Sequence, residues 1–123
     1  MSAVKLLYYR EGDQVPVAEW LARMPPDAAD VCIARLRLLK DRGHELRRPF
    51  ADVLADGIHE LRAKRRGINY RMLYFFFSRQ IAVVSHGFAK QRSRVPDAEL
   101  RRAIQRRERI KSNPFAHTVS AEV

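Results

Sequence analysis

Basic side chains in the middle of the chain are spaced so that they could act together on an anion. Arg62 and Lys64 alternate with the apolar residues Leu61 and Ala63, so both cations point to one face of a β-strand. Arg71 interrupts an otherwise apolar run, NYRMLYFFF, and an arginine in such surroundings needs a partner. A rigid sheet with Lys and Arg at one end suits a polyanion better than a metal ion or a small apolar ligand.

The overall charge indicates the same class of partner. The 123 residues include 24 Lys and Arg against 14 Asp and Glu, a formal net charge of +10. Such an excess favours phosphate backbones or acidic protein surfaces. Most of the cations are arginine, whose planar guanidinium can bind phosphate through two hydrogen bonds. Arginine-rich coding bias is the alternative explanation of this balance.

Cysteine and histidine usage argues against a metal site. The single cysteine, Cys32, lies in an apolar helical pattern and is expected to be a small core residue. Together with four scattered histidines it offers no zinc spacing, so we expect no metal and no cofactor.

No apolar run approaches the roughly 20 residues of a membrane span, and the amino terminus lacks the layout of a signal peptide. These features predict a cytoplasmic protein without a membrane partner.

Two helices are predicted before the basic region. A strand at 4–10 ends in a Glu-Gly-Asp turn, after which Pro16 fits the first position of a helix. This helix runs to about Met24, where Pro25-Pro26 stops it, and Asp27 is a suitable cap for the next one. The apolar stripe of the second helix closes at Gly43. The two helices therefore form a hairpin.

Three strands are predicted to position the cations. An ambiguous stretch at 44–55 reads as a loop with a short strand or turn. The pattern then indicates strands at 58–64, 68–77 and 81–88, joined by tight turns. The middle strand is almost continuously apolar, as expected for a strand covered on both faces. Its three consecutive phenylalanines could stack on bases, but in a central strand such rings are expected to fill the core.

One helix is predicted in the carboxy-terminal part. The loop at 89–95 leads to a helix from about residue 97 to 111 with a strongly positive polar face. Residues 1–112 are therefore expected to form a single domain. The remaining residues, 113–123, are expected to be a flexible, frayed tail.

A series of segments, taken in order, resembles a known family. They are PVAEWLARMP, LxxxGHELRRP, DGIHELR followed by YRMLYFF, and HGFAKQxxxVP. This series covers about residues 4–110 and is similar to the RelE/ParE superfamily of type II toxins, within it to the phage-derived, HigB-like branch. The resemblance implies an α+β fold: a small twisted antiparallel sheet packed on an amino-terminal helical hairpin, with a carboxy-terminal helix.

The resemblance implies an mRNA interferase, a toxin that inhibits translation by cutting messenger RNA on the ribosome. RNA can be cut without a metal because its own 2′-hydroxyl can attack the adjacent phosphorus. The implied partners are the ribosome, mRNA and a cognate antitoxin, usually a HigA-like helix-turn-helix protein through which DNA is contacted indirectly. An antitoxin would cover the basic face or displace the last helix, and acidic residues are its expected complement.

The first implied catalytic residues lie on the first two strands of the basic region. Arg62 and Lys64 match the basic catalytic strand of the family. Lys64 would serve as a base if neighbouring cations favour the neutral amine, or as a plain phosphate clamp. Arg71 matches the Arg of the family's YR motif and would stabilise the phosphorane. The alternative for Arg71 is a structural tether to a carboxylate such as Glu60.

The remaining implied site residues follow on the third strand and in the turns. His86 would act as acid or base at neutral pH, or would be a hydrogen-bonded structural residue. Lys90 matches the basic position after the HGF segment, with Gln91 where a second Lys is usual. The cations expected to contact RNA are Arg65, Arg66, Arg92 and Arg94.

Departures from the family pattern keep other functions open. Val95 replaces the Thr that usually precedes the last helix, and no tyrosine follows Tyr74 to orient a base or take a proton. One alternative is a ParE-like inhibitor of DNA gyrase with the same fold. Another is a catalytically inactive module that binds RNA or an antitoxin.

Overall fold

One six-stranded sheet with flanking helices makes up the fold, and the computed structural model describes residues 3–90 and 94–123. The element order is β1 (Lys5–Tyr9), α1 (Pro16–Arg23), α2 (Pro26–Arg42), β2 (Ala51–Ala55), β3 (Ile58–Arg65), β4 (Ile68–Ser78), β5 (Ile81–Lys90), α3 (Asp97–Ser112), α4 (Pro114–His117) and β6 (Thr118–Ser120). A short 3-10 helix, Gly43–Glu45, follows α2. The α+β fold, with an amino-terminal helical hairpin and a carboxy-terminal helix, is confirmed.

The strand order across the sheet is β2-β3-β4-β5-β1-β6. Strands β2 to β5 form an antiparallel meander. Strand β1 pairs with β5 in the parallel direction, because the chain crosses over through the helical hairpin before it returns to the sheet. The sheet is therefore mixed, whereas the sequence predicted an antiparallel one.

Strand β4 lies in the centre and is covered on both faces, as its composition predicted. On one face Met72 and Tyr74 are buried against Leu36 of α2. On the other face Leu73 and Phe75 are buried under α3. Burial of each large apolar side chain contributes about 1.5–3 kcal/mol to stability. Strand β4 therefore stabilises both apolar layers, one on each face of the sheet.

Cys32 and the three phenylalanines of β4 were predicted to lie in the core, and the structure agrees except for Phe77. Cys32 is fully buried, and burial raises the pKa of its thiol to about 11. Phe75 fills the α3 side, and Phe76 stacks on His44 with ring centroids 3.6 Å apart. Phe77, at the end of the strand, is 38% exposed. No helix among the described residues is long and apolar enough to cross a membrane.

The carboxyl end forms secondary structure where the sequence predicted a frayed tail. Strand β6 pairs with β1, with Tyr8 opposite Val119. The backbone N–H of Arg10 donates to the carbonyl of His117 at 2.8 Å, and its guanidinium donates to the carbonyl of Phe115 at 2.7 Å. These contacts, made with a strand about 110 positions earlier in the chain, join the last segment to the sheet.

Helix α3 covers part of one sheet face. Its residues Ala103 and Ile110 pack on Leu73, Phe75 and their neighbours near the middle of the sheet. The end of β3, the start of β4 and the end of β5 extend beyond this contact. We refer to that uncovered region as the open half.

Candidate functional site

Cationic side chains form two rows across the open half. Opposite residues of an antiparallel pair point to the same side of a sheet. The inner row consists of Arg62, Arg71 and Phe88, and the outer row of Lys64, Asn69 and Lys90. We refer to Arg62, Lys64, Arg71 and Lys90 as the cation face. Its geometry confirms that Arg62 and Lys64 share one side of β3 and adds Arg71 and Lys90 to it.

The hairpin between β3 and β4 sets this register. Arg66 and Gly67 have φ values of +52° and +79°, the left-handed conformation that a two-residue turn of matching twist requires. Arg65 then pairs with Ile68, so Arg62 and Arg71 come directly opposite each other. A turn of a different length would shift every residue of the two rows.

A concavity of about 220 Å³ lies beside the rows, at the free edge of β3. Arg35 of α2 forms its far wall: its Nε donates to the carbonyl of Arg62 at 3.2 Å, and its guanidinium lies 5.0 Å from the centre of the Phe50 ring. The described lining consists of Arg35, Pro49, Phe50, Arg62, Ala63, Lys64, Asn69 and Arg71. Every charged residue in this lining is a cation, which favours an anionic ligand.

Arg71 is tethered and faces the concavity at the same time. Its Nε donates to Glu60 Oε1 at 2.8 Å, and its Nη1 donates to the carbonyl of Tyr70 at 3.0 Å. Burial lowers the pKa of the guanidinium, whereas the Glu60 carboxylate acts in the opposite direction. The tether to Glu60 that the sequence left as an alternative therefore exists, and Arg71 still lines the concavity with Arg62 and Asn69.

Glu60 is the centre of an ion-pair network on the sheet face. Its side chain is only 4% exposed, and its Oε2 accepts from Arg62 Nη2 at 3.1 Å while Oε1 accepts from Arg71. Asp52, directly opposite Glu60 on β2, extends the network because it lies 3.4 Å from Arg62 Nη2 and 2.7 Å from Arg48 Nη2. Positive and negative side chains thus alternate from Arg48 to Arg71, so these ion pairs form one continuous network.

The two lysines of the cation face differ in their surroundings. Lys64 is exposed near the hairpin tip. Lys90 is half-buried, and its pKa is lowered by burial and by the charges of Arg71 and Arg62, while Glu60 acts in the opposite direction. Burial, assisted by the adjacent guanidinium groups, thus favours the neutral amine of Lys90.

His86 lies under α3 on the same sheet face as the inner row, where it pairs with Leu73, two residues before Arg71's partner Phe88. It is 5% exposed, and its Nδ1 is 2.8 Å from Ser85 Oγ while its Nε2 is 3.1 Å from Glu99 Oε1. Burial, with smaller contributions from Arg106 and Arg102, lowers its pKa to about 3. A neutral, hydrogen-bonded imidazole that holds α3 to β5 fits this geometry, which is the structural alternative that the sequence left open.

The turn cations are bound to α2. Arg65 Nε and Arg66 Nε donate to Asp27 Oδ2 at 3.0 and 2.7 Å. These two arginines hold the pKa of Asp27 at about 2. Asp27 was predicted to cap α2, but Pro25 takes the cap position and Asp27 lies in the first turn. Its carboxylate instead fixes the β3–β4 hairpin to the helix.

Of the two remaining residues that were predicted to contact RNA, Arg92 and Arg94, the structure describes one. Arg94 is exposed and its Nη2 lies 3.3 Å from Asp97 Oδ1. Arg92 lies outside the described residues. Arg94 therefore lies just before α3 and is not part of the two rows of the cation face.

Sequence reasoning gave too little weight to two residues. Glu60 occupies the same face of β3 as Arg62, two positions earlier, and this alternation was the available signal for a shared network. Asn69 stands between Lys64 and Lys90 in the outer row. Nothing in its local sequence marks it, because its position depends on the register of two strand pairs.

Metal-binding side chains do not cluster in the described part of the chain. Within residues 3–90 and 94–123, no group of three His, Cys, Asp or Glu residues could hold a metal ion.

Comparison with protein-family models shows which family the chain resembles. Residues 19–108 match the family described as Phage derived protein Gp49-like (DUF891). The matched segment begins in α1 and ends in α3, so it contains the whole cation face together with Glu60 and His86. No curated protein matches the chain.

Proposed function

Because this chain belongs to the Gp49-like family of phage-derived proteins, we propose that it is the toxin of a type II toxin–antitoxin system and cuts mRNA on the ribosome. The family lies in the RelE/HigB-like area of toxin–antitoxin toxins, which makes the chain toxin-like and implies an antitoxin partner. The proposed reaction is metal-independent cleavage of the phosphodiester backbone. The observation that supports it most directly is the placement of four cations from three strands on one side of the sheet, where even Arg71, only 9% exposed, lines the concavity.

In the proposed reaction the RNA supplies its own nucleophile. The 2′-hydroxyl attacks the adjacent phosphorus, and the bond to the 5′-oxygen of the next nucleotide breaks. The products are a 2′,3′-cyclic phosphate and a free 5′-hydroxyl. Arg62 and Arg71 stabilise the additional negative charge on the phosphorane, where fixed guanidinium groups are most effective.

Two proton transfers complete the proposed reaction. Lys90 accepts the proton of the 2′-hydroxyl, because its surroundings favour the neutral amine. Lys64, exposed in the same row, donates a proton to the leaving 5′-oxygen. His86 supports β5 from beneath α3, where its hydrogen bonds with Ser85 and Glu99 hold it.

The ribosome accounts for the selection of the site on the message. Contacts between cations and phosphate carry no base information, so the cation face alone would bind RNA of any sequence. A message held in the decoding site would be presented with one phosphodiester strained and accessible. Arg65, Arg66, Arg92 and Arg94 are the proposed contacts to flanking phosphates.

The test is the mapping of cleavage in growing cells. Expression of the protein should arrest growth, and primer extension should show cuts within translated messages that disappear with Arg71→Ala. The matched control is Arg37→Ala, an exposed arginine on α2, which should cut like the original protein. Intact message together with DNA damage would favour a gyrase inhibitor, and RNA binding without growth arrest would favour an inactive binding module. Either result would overturn the proposal.

A further inference from the structure

Glu60 is an unusual residue in a surface that is otherwise built for an anion. A carboxylate repels phosphate, yet Glu60 lies at the base of the cation face and is 3% exposed. Its two oxygens accept hydrogen bonds from different guanidinium groups: Arg71 Nε at 2.8 Å, and Arg62 Nη2 at 3.1 Å with Nε at 3.4 Å. These contacts use Nε of Arg71 and both Nε and Nη2 of Arg62.

The register explains why a carboxylate is needed there. Arg62 and Arg71 lie directly opposite each other, and like charges in that position repel each other. Glu60, two residues from Arg62 on the same strand face, stands beside both of them. Without it, the two guanidinium groups would lose the one partner that they share, and each would keep only a separate one: the Tyr70 carbonyl for Arg71 and the Asp52 carboxylate for Arg62.

We infer that Glu60 is the positioning residue of this site: it orients the guanidinium groups of Arg62 and Arg71 side by side so that they engage one phosphate together. This inference rests on the proposed function and names the residue that sets its geometry. Glu60 does not touch the substrate. It contributes to stabilisation of the phosphorane through the two arginines. Its own negative charge weakens the attraction of the surface for RNA.

This role predicts opposite effects on binding and on cleavage. Loss of the carboxylate charge should strengthen the attraction of the surface for any polyanion. The same change should disorder the two arginines. Loss of a group that orients a metal ligand typically costs about 10- to 100-fold in activity, and we expect a loss of the same order for this pair of orienting hydrogen bonds. A residue that only keeps the protein folded would weaken both properties together.

The experiment compares Glu60→Gln with the original protein in two assays. Binding is measured by fluorescence anisotropy with a 2′-O-methyl oligoribonucleotide, which has no nucleophile and cannot be cut. Cleavage is measured under single-turnover conditions on ribosomes that carry a defined message. We expect binding that is equal or up to about tenfold tighter and cleavage that is about 10- to 100-fold slower. Glu108→Gln, at an exposed ion-paired glutamate of α3, should change neither.

A second variant covers the possibility that Glu60→Gln does not fold. Glu60→Asp keeps the charge but shortens the side chain by one methylene, so the carboxylate is withdrawn from Arg62 and Arg71. Binding should then stay within about twofold of the original, while cleavage again falls about tenfold or more. Equal loss of binding and cleavage in a folded variant would overturn the inference, and so would faster cleavage.

Failure of the proposed function can be told apart from failure of this inference. If the original protein cuts no message, the nuclease proposal fails while the position of Arg71 can still be measured. The Nε–H signal of Arg71 in a 15N NMR spectrum should shift and exchange faster with solvent in Glu60→Gln. A signal that is unchanged in that variant would overturn the positioning role, whatever the activity.

Discussion

Arg62 and Arg71 lie directly opposite each other on neighbouring strands, and both donate to the same buried carboxylate of Glu60. Two arginines in this cross-strand position would normally destabilise the sheet. The shared partner compensates for their repulsion and fixes the distance between them. The site therefore has a built-in arrangement of two cations before any ligand arrives, and this arrangement depends on one residue that faces away from solvent.

Removing the anchor of the hairpin tip should strengthen RNA binding. In Asp27→Asn, Arg65 and Arg66 lose their charged partner, so their contacts with phosphate no longer compete with an ion pair. We expect tighter binding of a single-stranded RNA and a salt dependence steeper by about one unit for each arginine that gains a phosphate contact. Anisotropy titrations at several salt concentrations measure both. Asp30→Asn, on the same helix, is the control with the same charge change, and an equal effect there would show that only net charge matters.

Stability should fall in mild acid because of His86. Its pKa is about 3 in the folded protein and about 6.5 in an unfolded chain. The unfolded state therefore binds the proton more readily, and stability present above pH 6.5 is lost as pH falls toward 3, by at most about 1.4 kcal/mol per pH unit. Urea unfolding between pH 7 and pH 4.5 measures this slope.

The matched variant for that slope is His86→Gln. A glutamine can keep a hydrogen bond with Glu99 or Ser85 but does not titrate, so its unfolding free energy should vary less over the same range. The lowered pKa of His59, caused chiefly by its burial, should leave a residual slope in the same direction. Equal slopes for the two proteins would show that the His86 proton is not coupled to folding.

The close approach of α1 to β5 should make Gly87 intolerant of any side chain. A Cβ at this position would lie 2.4–2.7 Å from atoms of the Trp20 indole ring. Gly87→Ala should therefore lower the free energy of unfolding by about 1–3 kcal/mol, the usual cost of overpacking. Denaturant titration measures the loss. The double variant with Trp20→Leu should recover part of it, and strictly additive losses would contradict the contact.

The last strand should contribute to stability. A chain that ends at residue 113 loses β6, its pairing with β1 and the stacking of His117 on Tyr9, whose ring centroids are 5.7 Å apart. It also exposes the core around buried Ala121. We expect a lower melting temperature in calorimetry than for the full chain. An unchanged transition would restore the interpretation of this segment as a frayed tail.

The sequence predicted those features that depend on local pattern. Alternation in β3 placed Arg62 and Lys64 on one face, and the apolar run of β4 indicated a strand covered on both sides. The sequence did not predict that Arg62 would oppose Arg71, because this depends on whether the hairpin turn has two residues or three. It also missed β6, whose short segment has little strand signal of its own and is defined by its pairing with β1.

The position of His86 shows the same limit. Its neighbours in the sequence indicate only a strand, so an exposed catalytic imidazole and a buried one were equally compatible with the pattern. The packing of α3 over β5 decides between them, since it removes the ring from solvent and supplies Glu99 as its partner. Contacts between elements that are distant along the chain cannot be read from alternation.

Helix α3 covers only part of the sheet, and this limits the ways in which another protein could block the cation face. Lifting the helix would bring Leu73, Phe75 and Ile110 into water, at about 1.5–3 kcal/mol for each side chain. An inhibitor that plugs the uncovered region leaves this apolar layer intact. We therefore expect inhibition by occlusion rather than by dislodging the helix, with an acidic inhibitor seated over the cation face.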